Sequence, residues 1–382
     1  MLTRMNTIRK APIIHLLSQV TIPKDVISFG QGIPFFSPPK LAIDAAKNSM
    51  MQPKGFQYST DAGWLTLRET IAEKVNFSTK ANVDAECNVM VTSGANQAFM
   101  NAVLAITSPG DELIFLTPSY FNYVMAAQLA DCKPVLVETT KCFQPDVEKI
   151  KNKISKKTKA IVTISPNNPT GAVYSKESLK AINQFCKDHQ LFHISDEVYE
   201  YFVYDDSTHV SPLCFDPSVS HTISLFSLSK AFALSGYRIG YMIHPDFLSD
   251  DLLKAQDTIG ICAPSIAQAA ALKAIPLKQS YCAQYNEEMK HNREIVMSKF
   301  DGIPGIHGCW TKGAYYFFIT VDSSLSSLTL AKQLIETYGV IVLPGSMFDM
   351  STCSFRLSYG NLSSEKVNEG MNRLIDGIKH LK

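Results

Sequence analysis

Short apolar runs alternate with longer helical patterns through about the first 280 residues of the chain. Apolar runs of roughly four to eight residues are typical of buried strands, whereas apolar positions that repeat with a helical period indicate helices. The predicted strands are 88–93, 112–118, 133–139, 160–166, 192–197, 222–229 and 239–244, and the helical patterns include 96–107, 176–189 and 248–259. This order predicts an α/β domain whose mostly parallel seven-stranded sheet is covered on both faces.

The pattern changes after about residue 280. A long polar helix is predicted at 284–300, followed by strands at 314–321, 340–345 and 354–360 and by a charged terminal helix. These elements predict a smaller α+β domain, completed by an N-terminal arm. The expected boundaries are 1–45 for the arm, 46–280 for the large domain and 281–382 for the small C-terminal domain.

The composition fits a globular protein and argues against several functional classes. Hydrophobic residues make up 46% of the 382 positions, and the net charge of +1 includes no basic block that would bind nucleic acid. No apolar run approaches the roughly 18 residues of a membrane span. The first 20 residues lack the apolar core of a secretory signal, and a short amphipathic arm is expected there, with a transit segment as the alternative.

The cysteines and histidines follow no metal-binding or disulfide pattern. The nine cysteines include no CxxC pair, and the nine histidines include no HExxH spacing. An odd number of scattered cysteines favours reduced thiols over a disulfide framework or a structural zinc site. The sequence therefore predicts a cytoplasmic protein without a metal.

Unusual polar residues follow four of the predicted strands, where the ligands of a doubly wound sheet gather. Gly94 leads into a helix whose free N–H groups suit an anion such as phosphate. Asn168 lies in a proline-stiffened loop, Asp196 ends a strand three residues before Tyr199, and Lys230 directly follows the run 222–229. Each of these residues alone is more typical of an ordinary turn, helix cap or surface position.

Together the four loops offer an anion site, an amide, a carboxylate with a phenol, and an amine. Pyridoxal phosphate requires that set, because a lysine forms a Schiff base with its aldehyde and a carboxylate keeps its pyridine nitrogen protonated. The sequence therefore predicts a pyridoxal phosphate site at the carboxyl edge of the sheet.

The chain resembles the fold-type I pyridoxal-phosphate-dependent aminotransferases of class I/II, from about Gly30 to the C-terminus. The motifs that carry the resemblance occur in the order of the family: Tyr58, Gly63, Leu67 and Arg68 of Y-x4-G-x3-LR; SPNNPTG with Asn168; Asp196 and Tyr199 of D-x-x-Y; Ser227, Ser229, Lys230 and Arg238 of SxSK-x7-R; and FRLSYG with Arg356. Ser165 replaces the first asparagine of the family's NPxNPTG loop. The resemblance implies the type I transferase fold.

The resemblance also implies a role for each matched residue. Lys230 would carry the cofactor and act as general base, and Asp196 would pair with the ring nitrogen. The other implied contacts are Asn168 and Tyr199 with the ring hydroxyl, Tyr120 with the ring face, Gly94, Ala95, Asn96, Ser227 and Arg238 with the phosphate, Gly32, Asn168 and Arg356 with the substrate, and Tyr58 with the phosphate of a neighbouring subunit. The last contact implies a homodimer.

The implied reaction is ping-pong transamination between an L-amino acid and a 2-oxo acid. One alternative is another enzyme on the same fold, such as a carbon–sulfur lyase, an oxidase or a decarboxylase, since the cofactor serves all of them. A binding protein without turnover is a further alternative. Such a protein would be expected to lack Lys230, Asp196 or Arg356, and the chain has all three.

Substrate preference is predicted from two loops, GQGIPFF and PSYFNY. Their side chains Ile33, Phe35, Phe36, Tyr120 and Tyr123 favour aromatic amino acids or methionine over aspartate, although they could equally be packing residues. Phe35 stands where many relatives have an acidic residue. Stretches such as TSGANQAF and IGICAPSIAQ resemble plant enzymes that exchange amino groups between aromatic 2-oxo acids and methionine. An aspartate aminotransferase, with an arginine from an unrecognised position, is the alternative.

Overall fold

A computed structural model of the chain describes residues 4–6 and 8–381. Residues 1–3 and 7 of the predicted arm and the last residue of the chain therefore lie outside the described residues. Strands of the described part are β1 Ile27–Ser28, β2 Val89–Thr92, β3 Glu112–Thr117, β4 Lys133–Glu138, β5 Thr158–Ile164, β6 Phe192–Asp196, β7 Thr222–Ser227, β8 Gly240–Ile243, β9 Ile306–Gly308, β10 Tyr316–Val321, β11 Val340–Ile341, β12 Leu343–Pro344 and β13 Ser354–Ser358.

The α-helices account for most of the remaining described chain. They are α1 Pro12–Leu17, α2 Lys40–Ser49, α3 Pro53–Phe56, α4 Leu65–Thr79, α5 Ala95–Ile106, α6 Phe121–Leu129, α7 Val147–Lys151, α8 Lys176–Asp188, α9 Leu228–Ala231, α10 Ser249–Gly260, α11 Ser265–Ala274, α12 Lys278–Phe300, α13 Ser327–Tyr338 and α14 Ser364–Leu381. Side-chain caps fix several of their starts. The Ser175 hydroxyl, for example, accepts from the Ser178 N–H at 3.1 Å and so begins α8.

The large sheet has seven strands in the order β2-β8-β7-β6-β5-β3-β4. Its pairs are parallel except those of β8, which is antiparallel to both β2 and β7. Apolar side chains of α5, α6 and α10 pack on one face, and those of α7 and α8 pack on the other. The predicted α/β fold class is confirmed. Because β2, β5, β6 and β7 run in one direction, the polar residues that follow them meet at one edge.

The second sheet has four antiparallel strands in the order β12-β13-β10-β9. The run 340–345 was predicted as one strand, but it divides between two sheets. Its first part, β11, pairs in parallel with β1, whereas β12 pairs with β13. Residues 27–28 near the chain start are therefore hydrogen-bonded to a strand of the C-terminal region.

The expectation that all cysteines are reduced thiols is wrong for one pair. Cys142, in the loop after β4, and Cys309, after β9, form a disulfide across a sequence separation of 167 residues. The prediction failed because the two cysteines come from loops that are distant in the sequence, so no local cysteine spacing indicates the pair. The other seven cysteines are free.

Two further properties bear on the functional classes considered above. Within residues 4–6 and 8–381, no helix is both long and apolar enough to cross a lipid bilayer. The same residues contain no cluster of three or more histidine, cysteine, aspartate or glutamate side chains arranged to hold a metal ion.

Candidate active site

A cavity of about 640 Å³ opens at the carboxyl edge of the large sheet, within the usual size range of ligand pockets. Most residues that the sequence analysis singled out line it. They are Gly32, Ala95, Asn96, Tyr120, Asn168, Asp196, Tyr199, Ser227, Lys230, Arg238 and Arg356. The structure thus brings together loops that are up to 324 residues apart in the sequence. We call the side chains of Asn168, Asp196, Tyr199, Lys230 and Arg238 the polar floor of this pocket.

Lys230 lies in the short helix α9, directly after β7. Ser227 caps this helix, since its hydroxyl accepts from the Ser229 N–H at 3.1 Å. The Lys230 ammonium Nζ donates to the Gly32 carbonyl at 2.6 Å. Burial, reinforced by the charges of Arg356 and Arg238, lowers the pKa of Lys230 from 10.5 to about 8. A substantial fraction of this amine is therefore neutral slightly above neutral pH.

Asp196 ends β6 and is buried beneath the pocket. Its Oδ1 accepts from the Val198 N–H at 3.0 Å, and its Oδ2 accepts from the Tyr123 hydroxyl at 2.7 Å. Burial raises the pKa of Asp196 to about 6, so the group is mostly ionised at neutral pH. Tyr123 was predicted from the sequence to line the substrate pocket. Tyr123 does line the pocket, its ring stacks on Phe99 at 3.9 Å between ring centroids, and its hydroxyl also orients Asp196.

The start of α5 and Arg238 form a cradle beside the floor. Gly94 has a φ of +86°, and a Cβ added there would lie 2.6 Å from Arg238 Nη2, so only glycine admits this approach. Arg238 is itself held by its Nη2, which donates to the Ser93 carbonyl at 3.2 Å. The first N–H groups of α5 have no partner within the helix, and Arg238 lies beside Gly94 at its start, so the two together suit an anion.

Arg356 projects from β13 into the pocket and is 3% exposed. Its Nη1 donates to Asn168 Oδ1 at 2.9 Å, and its Nη2 donates to the Gly30 carbonyl at 2.5 Å. Its Nε is buried without a hydrogen-bond partner in the described structure. A buried unpaired donor is costly, so this guanidinium is suited to an acceptor that the pocket receives from outside.

Two phenols complete the polar lining. The Tyr120 hydroxyl accepts from the Asn122 amide at 2.9 Å, and burial raises the pKa of Tyr120 to about 12. The Tyr199 hydroxyl lies 2.7 Å from the Tyr316 hydroxyl. Tyr316, on β10, was not singled out from the sequence, because an apolar run such as AYYFFITV reads as an ordinary buried strand.

The apolar lining residues that were not predicted from the sequence include Ile13, Leu17, Ile22 and Val26, and we call these four the apolar wall. Helix α1 is anchored there because its Leu16 is buried in a cluster with Phe121 and Phe348. Arg9, just before α1, adds an ion pair of 2.6 Å to Asp349.

The prediction for Phe35 and Phe36 is corrected by their packing. Phe36 stacks on Tyr285 at 4.2 Å between ring centroids, and Phe35 meets the same ring edge-on at 5.8 Å. Both side chains therefore pack against helix α12, and only Ile33 of that segment's apolar side chains is among the described residues that line the pocket.

Tyr58 is the main predicted site residue that lies elsewhere. It is 80% exposed and is not among the described residues that line the pocket. Its segment is tied to α11, because the Ser265 hydroxyl donates to the Gln57 carbonyl at 2.9 Å. Tyr58 is thus fixed to the fold but available to another molecule.

A seven-stranded, mostly parallel sheet with a lysine, a carboxylate and an anion cradle at one edge defines a transferase of the type I fold. The family model for aminotransferase class I and II matches residues 24–374. The chain belongs to this family, and it is an aminotransferase.

Known aminotransferases resemble the chain over nearly its whole length. It is 34% identical to the aspartate aminotransferase of Pyrococcus abyssi, over 99% of this chain and 98% of that enzyme. It is 32% identical to the aromatic-amino-acid aminotransferase 2 of Thermococcus litoralis, again over 99% and 98%. The crystal structure of the aromatic aminotransferase from Pyrococcus horikoshii matches with a TM-score of 0.88 at 34% identity, over 96% of this chain and 99% of that one.

Proposed function

We propose that the chain is a homodimeric, pyridoxal-phosphate-dependent aminotransferase that prefers aromatic or methionine-like amino acids. The observation that carries the substrate proposal is the pairing of a buried, partly unpaired Arg356 with the apolar wall across one pocket. The first can receive a carboxylate, and the second can receive an apolar side chain.

The residues present fit the cofactor. The cradle of Gly94, Ala95, Asn96, Ser227 and Arg238 has the donors and the close approach that a phosphate needs. The carboxylate of Asp196 is buried and mostly ionised at neutral pH, which suits a protonated pyridine nitrogen. Asn168 and Tyr199 supply hydrogen-bonding groups for the ring hydroxyl, and Tyr120 supplies an aromatic face.

Pyridoxal phosphate, when bound, supplies an aldehyde for amines and a ring that accepts electrons from the substrate Cα. When the cofactor is bound, Lys230 would hold it, and the neutral amine of Lys230 would accept the proton from the substrate Cα. Its lowered pKa near 8 keeps part of the amine neutral at working pH. Arg356 orients each substrate through its α-carboxylate, so that the Cα proton faces Lys230.

The substrate preference follows from what surrounds the carboxylate receptor. The cations among the described lining residues are Lys230, Arg238 and Arg356, and the proposal already assigns each to a function. The apolar wall presents branched side chains, which stabilise an aromatic or thioether group by removing it from water. Aspartate transfer is the second candidate, because several relatives carry that name.

The experiment is a comparison of kcat/KM for phenylalanine, tryptophan, methionine and aspartate with one fixed 2-oxo acid. Values for the first three that exceed the value for aspartate by about tenfold or more would support the proposal. A clear preference for aspartate would contradict the substrate class. A protein that binds no pyridoxal phosphate by absorbance would contradict the cofactor.

The dimer proposal rests on Tyr58 and its neighbours. Met50, Met51, Phe56 and Tyr58 are 58%, 85%, 71% and 80% exposed, although three of them are apolar and all lie in one segment. Large exposed apolar side chains that are close together are typical of an interaction surface. A second copy that covers this segment would bring Tyr58 to the phosphate cradle of the neighbouring pocket.

Mixed dimers provide a direct test. A Lys230→Ala subunit and a Tyr58→Ala subunit each lack one component, but their mixed dimer contains one complete site if Tyr58 acts across the interface. At limiting cofactor, mixing should restore up to about a quarter of native activity. Sedimentation should show a dimer for both variants and for Tyr58→Phe, which should retain cofactor less well. A fully active monomer would contradict the arrangement.

The domain division and the location are also proposals. Pairing of β1 with β11 supports an N-terminal arm, residues 1–45, that completes a small domain at 281–382, with a large domain at 46–280. Seven of the nine cysteines are free, which favours a cytoplasmic location, whereas the Cys142–Cys309 disulfide is more typical of an oxidising compartment. Cell fractionation tests the location, and recovery of the native protein from an oxidising compartment would contradict it.

A further inference from the structure

Tyr316 contacts two parts of the site that the proposed function keeps separate. Its hydroxyl lies 2.7 Å from the hydroxyl of Tyr199, to which the proposed function assigns the cofactor ring oxygen. Its ring lies under the Arg356 guanidinium, 4.7 Å from the Cζ atom to the ring centroid. Tyr316 is only 1% exposed, yet it lines the pocket. A single rigid side chain therefore links the carboxylate receptor to the polar floor.

The protons of the two phenols determine how this link works. A phenol has one proton to donate. If Tyr199 donates its proton to the ring oxygen of the cofactor, Tyr199 must be the acceptor in its hydrogen bond with Tyr316. Tyr316 must then be the donor. Burial raises the pKa of Tyr316, so the phenol keeps the proton that this role requires.

Gly32 explains how the Tyr316 hydroxyl reaches this position. A Cβ added at Gly32 would lie 2.1 Å from the Tyr316 hydroxyl oxygen, which is far inside van der Waals contact. The carbonyl of Gly32 meanwhile accepts from Lys230 at 2.6 Å and from the Tyr315 hydroxyl at 3.2 Å. The missing side chain at position 32 thus leaves space for one specific hydroxyl group.

We propose that Tyr316 is a positioning residue, which fixes the Tyr199 proton toward the cofactor ring oxygen and couples that bond to the substrate-binding Arg356. This inference rests on the proposed function. Because a hydroxyl that accepts a hydrogen bond becomes a better donor, Tyr316 strengthens the bond from Tyr199. A stronger bond stabilises the deprotonated ring oxygen and lowers the pH midpoint of the bound chromophore.

Several other groups face Tyr316 and contribute to the same electrostatic environment. The titratable and charged groups with which it interacts are Tyr120, Asp196, Tyr199, Tyr315, Arg356 and Tyr359. Each variant changes only the side chain that it names and keeps the other groups. A difference in pH midpoint between variants therefore reports on the altered hydroxyl or ring.

The test is an absorbance titration of the bound cofactor in Tyr316→Phe, which keeps the ring and removes the hydroxyl. The midpoint should rise by a few tenths of a pH unit, because one hydrogen bond in a chain strengthens the next by roughly 10–30%. Tyr199→Phe should raise the midpoint further. Adding Tyr316→Phe to Tyr199→Phe should then change nothing more, since the route to the cofactor is already broken.

Tyr316→Leu separates the ring from the hydroxyl. It should raise the midpoint as Tyr316→Phe does, and it should also raise the substrate KM about three- to tenfold, because the support under Arg356 is lost. Tyr204→Phe is the matched control, because it also removes a buried phenol oxygen from the core cluster that contains Tyr316. The Tyr204 ring lies beside Arg293 and not beside Arg356. The midpoint of this control should equal that of the native protein.

The Gly32→Ala substitution gives an independent measurement. It should weaken cofactor binding less in the Tyr316→Phe background than in the native one, because the closest clash is with the hydroxyl. An unchanged midpoint in Tyr316→Phe, with a raised one in Tyr199→Phe, would overturn the proposal and leave the proposed function intact. An unchanged midpoint in Tyr199→Phe as well would remove the cofactor role of Tyr199 itself.

Discussion

The polar floor and the apolar wall of the pocket are built in different ways. Floor residues Asn168, Asp196 and Lys230 lie at or just after the ends of strands of the seven-stranded sheet, and each is fixed by hydrogen bonds within the fold. Wall residues Ile13 and Leu17 come from a six-residue helix near the chain start, which is held by side-chain packing. The floor is suited to chemistry that is the same for every substrate. The wall is suited to distinguishing one substrate from another.

This difference predicts separable mutational effects. Changes in the floor should lower turnover alike for all amino acids, whereas changes in the wall should alter the ratio between substrates. The largest effect is expected at Lys230. Lys230→Ala should reduce turnover by about 10³-fold or more, since it removes both the covalent exchange and the base. Steady-state rates with phenylalanine and aspartate measure it, and the loss should be equal for both.

Asp196→Asn is the next largest change. It should lower kcat by about 10²- to 10³-fold, because the neutral amide no longer keeps the pyridine nitrogen protonated. Cofactor affinity should fall much less, which equilibrium dialysis can measure. Tyr123→Phe is a graded control, since it removes only the 2.7 Å hydrogen bond to the carboxylate. Equal rates in Asp196→Asn and the native protein would refute the role of the floor carboxylate.

The pH dependence of cofactor capture tests the floor without any substitution. The pKa of Lys230 is lowered from 10.5 to about 8, so the reactive neutral amine increases as pH rises toward 8 and then levels off. The rate at which apoprotein captures pyridoxal phosphate should therefore rise by about tenfold per pH unit below 8 and flatten above it. Stopped-flow absorbance measures this rate. A rise that continues past pH 10 would indicate an ordinary, solvated lysine.

The smallest effect is expected at the apolar wall. This effect tests whether the wall, and not the polar floor, distinguishes one substrate from another. Ile13→Ala should lower kcat/KM for phenylalanine by about three- to tenfold, while the value for alanine should change little. Ile14→Ala is the matched control, because Ile14 is the adjacent residue and is 72% exposed. If Ile13→Ala lowered kcat/KM equally for all substrates, the division between floor and wall would be wrong.

The floor could be predicted because its motifs are continuous in the sequence. Asp196-x-x-Tyr199 and Ser227-x-Ser229-Lys230 carry their chemistry within a few residues, and their strands are unmistakable apolar runs. The wall could not be predicted in this way. Residues 12–17 show an amphipathic pattern, but which face meets the pocket depends on Leu16 packing against distant aromatic rings.

Phe35 illustrates the same limit from the opposite side. An aromatic residue beside a glycine-rich loop is as compatible with packing as with ligand contact. The choice is made by Tyr285 on helix α12, which lies 250 residues further along the chain and receives both Phe35 and Phe36. The split of 340–345 between two sheets has a similar cause, because pairing partners in distant segments decide where each strand lies.

The disulfide between Cys142 and Cys309 divides the chain into a closed covalent ring and two tails. Asn168, Asp196, Lys230 and Arg238 lie within the ring, whereas Gly32 and Arg356 lie on opposite tails. A single protease cut inside the ring would leave the polypeptide in one covalent piece until the disulfide is reduced, but a cut in either tail would release a fragment. Lys230 and Arg356, to which we assign the cofactor and the substrate carboxylate, therefore belong to different topological parts of one molecule.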